Sequence, residues 1–257
     1  MTSPVELALD RDRTRAAFRL FDPRGNIVTA EMVAALTQAL EPLAHDGHLK
    51  LITIEGAGRD FSFGASIPEH APGQIDRVLP QMHALIYALL DLPVPTAAIV
   101  RGRCLGGGFE LALACDFIFA ETSATFGLPE IVLGVFPPAA SALLPARIGT
   151  ARATSAILTG DARPASEWRS AGLLETVVPD GELAAAVDDW FAATLRPRSA
   201  AALRHATAAA RLSLVRHVHA VLPDLERLYL ADLMGTQDAA EGIAAFLGKR
   251  APRWTDR

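Results

Sequence analysis

The feature that most restricts what this chain can fold into is a change of periodicity near Pro137. Before it, short β-patterned runs alternate with helical stripes; after it, nearly every patterned segment has helical spacing. Val5–Leu9 and Ala16–Phe21 read as strands. Thr29 caps a helix carrying Met32, Val33, Leu36 and Leu40 on one face. Leu49–Glu55 reads as a strand, and a loop from Arg59 to Pro72 leads to a helix striped by Val78, Met82, Leu85, Ile86 and Leu89. Thr96–Val100 reads as a buried strand, followed by Gly106-Gly107-Gly108, a helix over Phe109–Ala114 and a strand over Asp116–Ala120. Later, only Leu173–Val178 looks extended. Helices are predicted over Ala139–Ile148, Ala151–Leu158, Pro164–Ala171, Glu182–Leu195, Ala200–Leu212, His217–Met234 and Gln237–Leu247. The pattern predicts α/β layers of β-α units. Arg196-Pro-Arg198 marks the best boundary, giving an α/β core over residues 1–196 and a helical region over 197–257.

Composition narrows the function classes. No 18-residue apolar run is present, and the longest uncharged stretch, Ile131 to Ala146, is broken by Pro137, Pro138 and Pro145, so no membrane span is expected. Twenty-two arginines against 2 lysines could suggest nucleic acid, but they are scattered and outweighed by 29 acidic residues, so no nucleic-acid partner is expected. The 48 alanines favour helices and their close approach. The first residues lack a secretory layout, and two cysteines, Cys104 and Cys115, exclude a disulfide framework; a soluble cytoplasmic chain is expected. His45/His48 lies in a polar turn. His217/His219 would point about 200° apart on a helix. No zinc spacing, P-loop or dinucleotide fingerprint occurs, so no metal is expected.

The segment from Arg101 to Gly134 carries the chemistry. Three glycines after a buried strand let backbone N–H groups approach a ligand, and at a helix start those groups are unpaired and aligned with the positive end of the dipole. Such donors suit a developing oxyanion, although a tight packing turn satisfies the same residues. Glu110 follows in the first helical turn and Glu130 lies twenty residues on. Two carboxyls could serve as general acid and base. Equally, Glu110 could only favour a helix start and Glu130 could only begin a short helix after Pro129.

The ordered blocks Gly106-Gly107-Gly108-Phe109-Glu110 through Cys115-Asp116, Phe126-Gly127-Leu128-Pro129-Glu130, Ala146-Arg147-Ile148-Gly149 and Ala171-Gly172-Leu173-Leu174-Glu175 resemble the crotonase (enoyl-CoA hydratase/isomerase) family. Upstream, Arg59 to Ile67 resembles that family's first acyl-CoA loop. The likeness spans nearly the whole chain and is weakest before Ile27. It implies a crotonase-like spiral of ββα units with a C-terminal helical trimerisation region, an acyl-CoA thioester as substrate, no cofactor beyond the CoA it carries, and a homotrimer or homohexamer. It also implies an oxyanion hole from the N–H groups of Ala65 and Gly107, Glu110 and Glu130 as the catalytic pair, and substrate contacts at Gly64, Ser66, Ile67, Gly106 and Pro138. Phe246 and Lys249 match positions that touch the nucleotide part of CoA in similar proteins.

Departures from the family pattern point to a subgroup. Ser66 and Pro68 stand where many members have Asp and a basic residue. Pro138 stands where a glycine often donates its N–H to the catalytic water, and proline has none. The combination of Phe61-Ser62-Phe63-Gly64-Ala65-Ser66-Ile67-Pro68-Glu69-His70 with Pro137-Pro138 resembles hydratases acting on a cyclic dienoyl-CoA in anaerobic aromatic degradation. The expectation is a 1,4-addition, with water relocated to a vinylogous carbon farther from the carbonyl than in ordinary enoyl hydration. His70 could line the acyl pocket or be a solvated loop residue. The alternatives are a general 2-enoyl-CoA hydratase and a non-catalytic scaffold that binds CoA or RNA.

Overall fold

The computed structural model describes residues 3–71 and 73–257. Pro72, where the loop reading ends, lies outside them. The strand order explains the alternation. A six-stranded sheet runs β1 (Val5–Leu9), β2 (Arg15–Leu20), β3 (Leu51–Gly56), β4 (Thr96–Val100), β6 (Phe117–Glu121) and β9 (Thr176–Val178). Only β1/β2 is antiparallel; the other pairs are parallel. Parallel neighbours need crossovers, which put helices against the sheet. The all-buried Thr-Ala-Ala-Ile-Val run of β4 is what a central strand covered on both faces requires.

The two faces have separate cores. Ile52, Ile54, Ala98, Val100, Ile118 and Ala120 face the main core with α1 (Ala30–Ala44) and α2 (Ile75–Asp91). Leu51, Ala97, Ile99 and Phe119 face the opposite way, onto Leu183, Val187 and Phe191 of α7 (Leu183–Thr194). α1 begins where Thr29 accepts a hydrogen bond from the Met32 N–H at 3.2 Å, as the capping signal predicts.

A second, three-stranded sheet was not visible in the periodicity. It joins β5 (Arg103–Leu105), β7 (Thr125–Gly127) and β8 (Arg163–Pro164), each too short to display a period of two. Its addition yields repeated ββα units: β4, β5 and α3 (Gly107–Leu113), then β6, β7 and α4 (Pro138–Ile148). This is the crotonase-like spiral the resemblance implies. α5 (Thr150–Thr159) and α6 (Ala165–Ser170) follow.

The helical region differs from expectation. Ala200–Leu212 and His217–Met234 are not two helices: α8 runs unbroken from Ala200 to Arg227 and passes into a π-helical turn, Leu228–Leu233, before α9 (Gln237–Leu247). The intervening Ser213 to Arg216 contains no helix breaker, and Leu214 and Val215 pack against the main core, so burial carries the helix through. The helix at the glycines also starts earlier than expected, at Gly107 rather than Phe109.

α8 is bolted to the core by Arg211, only 5% exposed. Its guanidinium donates to both Asp116 oxygens at 2.6 and 2.5 Å, to the carbonyls of Leu89, Leu90, Leu92 and Val94, and to the Thr96 hydroxyl. It thus closes the turn between α2 and β4, where the carbonyls have left the helix ladder. No helix among the described residues is long and apolar enough to cross a membrane.

Candidate active site

The loop after β3 and the glycines after β5 meet because backbone bridges bring them together. Phe61 and Ser62 donate to the Arg103 carbonyl, and Leu105 donates back to the Ser62 carbonyl at 3.0 Å. Ser62 donates its hydroxyl to the Asn26 carbonyl at 2.7 Å and accepts the Gly64 N–H at 3.1 Å. This pins the turn that presents Ala65. Gly64 has φ +101°, and a Cβ there would lie 2.9 Å from the Leu105 carbonyl oxygen, so the position is restricted to glycine by both conformation and space. A Cβ on Gly107 would lie 3.2 Å from the Ala65 nitrogen, which shows how closely the two backbones approach.

Gly107 is the first residue of α3, so its N–H has no partner within the helix. The described backbone hydrogen bonds use the N–H groups on either side of Ala65, from Gly64 and Ser66, but not that of Ala65. Two donors therefore remain beside each other.

The second sheet places the carboxyls. Leu105 of β5 registers with Gly127 of β7, and the Gly106 N–H donates to the Gly127 carbonyl at 2.9 Å. Two residues later, Pro129 opens a short 3-10 turn over Pro129–Leu133, and Glu130 projects back onto the glycines. A Cβ on Gly106 (φ +49°) would sit 2.7 Å from Glu130 Oε1. Glu110, on α3, is buried at 6% exposure. Its Oε1 accepts the Ala140 N–H at 2.9 Å, and the nearby Ala139 N–H also favours the carboxylate. These are free donors at the start of α4, just past Pro138.

Burial pushes the Glu110 carboxyl up to about 7 against the opposing pull of those two N–H groups. Burial and then the Glu110 charge push Glu130 up to about 8. Glu130 Oε2 is sealed from solvent and has no hydrogen-bond partner among the described residues. One carboxyl is thus anchored by dipoles that favour its anion, and the other is left in a setting that favours its acid.

A cavity of about 470 Å³ opens onto this arrangement. Gly64, Ala65, Ser66, Ile67, Gly106, Glu130 and Phe246 all line it. Glu110, Gly107 and Pro138 stand behind that lining. Lys249 does not reach it; it is exposed in the turn after α9, at φ +50°. His70 does line the cavity, and its Nδ1 is 2.9 Å from the Ser66 carbonyl. Burial lowers its pKa below the ordinary imidazole value, with the Ser66 bond and Glu69 opposing.

Sequence reasoning missed Arg24, which lines the cavity from the Asp22–Asn26 turn, and Tyr229, a buried phenol within electrostatic reach of both glutamates. The turn residues were a signal for the first; nothing in the periodicity marks the second. Among the described residues no cluster of three His, Cys, Asp or Glu side chains could hold a metal. Cys104 and Cys115 are buried in the main core, and burial raises both thiols.

The chain is similar to known enoyl-CoA hydratases over nearly its whole length. The family model for enoyl-CoA hydratase/isomerase matches residues 13–257. A cyclohexa-1,5-dienecarbonyl-CoA hydratase from Thauera aromatica is 42% identical over 256 residues, covering 100% of this chain and 98% of its own. A 2,3-dehydroadipyl-CoA hydratase from Escherichia coli is 32% identical, covering 98% of this chain and 99% of its own. The crystal structure of an enoyl-CoA hydratase from Mycobacterium avium subsp. paratuberculosis superposes with a TM-score of 0.88 at 30% identity, each chain fully covered. With the paired backbone donors, the facing carboxyls and a match over nearly its full length, the chain belongs to the enoyl-CoA hydratase/isomerase family.

Proposed function

We propose that the protein adds water to a cyclic conjugated dienoyl-CoA, converting cyclohexa-1,5-diene-1-carbonyl-CoA to 6-hydroxycyclohex-1-ene-1-carbonyl-CoA in anaerobic aromatic degradation. The observation that carries the reading is the meeting of the Ala65 and Gly107 donors with a buried Glu110 and a half-buried Glu130 of unequal setting. The thioester oxygen accepts from both N–H groups, which bind it most strongly as enolate charge develops. Glu110, whose anion is held by the Ala139 and Ala140 N–H groups, is the base that takes a proton from water. Glu130, the more readily protonated, is the acid that delivers one to carbon. The step consumes one water and no electrons, so the reaction needs no cofactor beyond the CoA of its substrate.

Atom balance corrects one expectation about the water. In the product the hydroxyl stands on the ring carbon next to the one bearing the thioester, so oxygen bonds the β carbon as in ordinary enoyl hydration. The vinylogous carbon, across the ring, receives the proton. What a cyclic substrate demands is thus a relocated acid rather than a relocated water. The demand on Pro138 remains: α4 has no N–H there, and its Ala140 N–H is spent on Glu110.

The 42% identity to the cyclic dienoyl-CoA hydratase, against 32% to the dehydroadipyl-CoA hydratase, supports the cyclic substrate, as does an apolar lining that includes Ile67, Leu133 and Val135. Incubating the enzyme with the cyclic dienoyl-CoA and with crotonyl-CoA, and weighing the products, tests it. Gain of one water on the cyclic thioester alone is expected; gain on crotonyl-CoA alone would leave a general 2-enoyl-CoA hydratase. We also read residues 197–257 as the assembly region of a homotrimer or homohexamer, supported by exposed Leu228 and Leu247, which light scattering will count.

A further inference from the structure

Tyr229 sits where the winding of the C-terminal helices changes. α8 gives way to the π-helical turn Leu228–Leu233, and such widened turns are rare and frequently found at functional sites. The side chain is 2% exposed. Its ring meets Phe136 edge-on, centroids 5.4 Å apart at 70°, and packs with Ile75, Val135 and Leu133. Leu133 and Val135 also line the cavity that holds Gly106 and Glu130. The tyrosine therefore packs against the wall of that cavity.

Two polar groups there lack a partner, and one backbone donor is missing. A tyrosine hydroxyl normally finds a partner; this one makes no hydrogen bond to a described residue, and its oxygen, unlike Glu130 Oε2, is not sealed from solvent. Glu130 Oε2 is sealed without a donor. Pro138 offers no N–H to a water. Burial first, then the charges of Glu130 and Glu110, raise the phenol far above its ordinary value, so it remains an O–H donor wherever those carboxyls titrate.

We propose that Tyr229 is a positioning residue for hydration, its hydroxyl holding the water used by the Glu110–Glu130 pair in place of the N–H that Pro138 lacks. The inference rests on the hydratase reading of the site. In the step, water oxygen bonds the β carbon, one water proton passes to a carboxylate, and a carboxyl proton passes to the ring carbon. The phenol keeps its own proton and ends unchanged.

Tyr229→Phe keeps the ring and its contact with Phe136 and removes only the hydroxyl. On whichever thioester the wild type hydrates, kcat is expected to fall about 10- to 100-fold. KM is expected to stay within about three-fold, the mark of a group felt mainly in the transition state. Unchanged kcat, or a loss matched by a rise in KM, would overturn the proposal. A second measurement needs no substitution at the site. The chain has two tyrosines, so protein labelled with 3-fluorotyrosine gives two fluorine signals, from Tyr87 and Tyr229. Cyclohexanecarbonyl-CoA, which is saturated and cannot be hydrated, is expected to shift the Tyr229 signal and leave that of Tyr87, which stacks on His219. A stationary Tyr229 signal would refute the placement. If the wild type hydrates neither thioester, the hydratase reading fails, and the fluorine result still decides whether Tyr229 faces the acyl group.

Discussion

Two of the places where the chain buries charge treat it oppositely. Arg211 and Asp116 form an ion pair whose remaining valences are filled by four backbone carbonyls, the Thr96 hydroxyl and the Thr96 N–H. Glu110 and Glu130 form a like-charged pair, with one carboxyl partly satisfied and the other carrying an orphan oxygen. A charge removed from water and fully paired fixes geometry, whereas one removed and left short of partners has its protonation set near neutral pH. The first arrangement closes a helix–strand turn; the second leaves two carboxyls that ionise near neutral pH.

The comparison breaks most sharply if the carboxyls are made amides. Glu130→Gln and Glu110→Gln are each expected to lower kcat about 10²- to 10⁴-fold, with folding intact, as measured by loss of thioester conjugation. The wild-type pH profile of kcat/KM should be a narrow bell with limbs near 7 and 8, belonging to the pair rather than to either residue. Full activity in either amide variant would end the acid–base assignment.

Arg211→Met tests the other half. It strands Asp116 and four carbonyls, and should cost about 3–5 kcal/mol of stability in urea unfolding. Turnover per folded molecule should be nearly unchanged. A large activity loss without destabilisation would mean that the two buried networks are one.

How much of this was legible in the sequence depended on whether a signal was local. β4, the glycine turn and the early Glu110 stand out because a buried strand followed by three glycines and a glutamate is a local pattern, but the catalytic reading of Glu110 and Glu130 came only from the resemblance. Three glycines alone permit a packing turn; only the resemblance joined them to Ala65, forty-two residues upstream. β5, β7 and β8 exist through pairing with each other, and at two or three residues each they carry no period of their own. Arg211 read as one of many scattered arginines, since its acceptors come from a distant turn. Tyr229 was silent for the same reason: its importance lies in which carboxyls the fold places near it.

Gly106→Ala asks whether the backbone cradle and the carboxyl pair are mechanically one unit. The added Cβ would meet Glu130 Oε1 at 2.7 Å, at a φ of +49° that L residues rarely adopt. Glu130 must swing away, or the Gly107 N–H must turn from its aim. Either outcome is expected to remove about 2.7–4 kcal/mol of transition-state stabilisation, the cost of losing one oxyanion donor, read from kcat/KM.

The smallest effect separates the networks by their response to pH. A carboxyl whose folded pKa is raised holds a proton that the unfolded chain releases, so it subtracts stability as pH rises above the unfolded value near 4.5, until it ionises in the folded state near 7 for Glu110 and 8 for Glu130. Above those values the penalty is complete. Glu130→Gln removes the ionisation and should therefore be more stable than wild type at pH 8.5, on the order of 1–3 kcal/mol, while the two proteins converge toward pH 5. Urea midpoints at several pH values measure this. A gap that did not widen with pH would mean that Glu130 is neither buried nor coupled to Glu110 in the way the fold places it. A widening gap would mean that the chain gives up stability to keep a protonated carboxyl beside the free Ala65 and Gly107 N–H groups, a sacrifice the Arg211–Asp116 pair does not make.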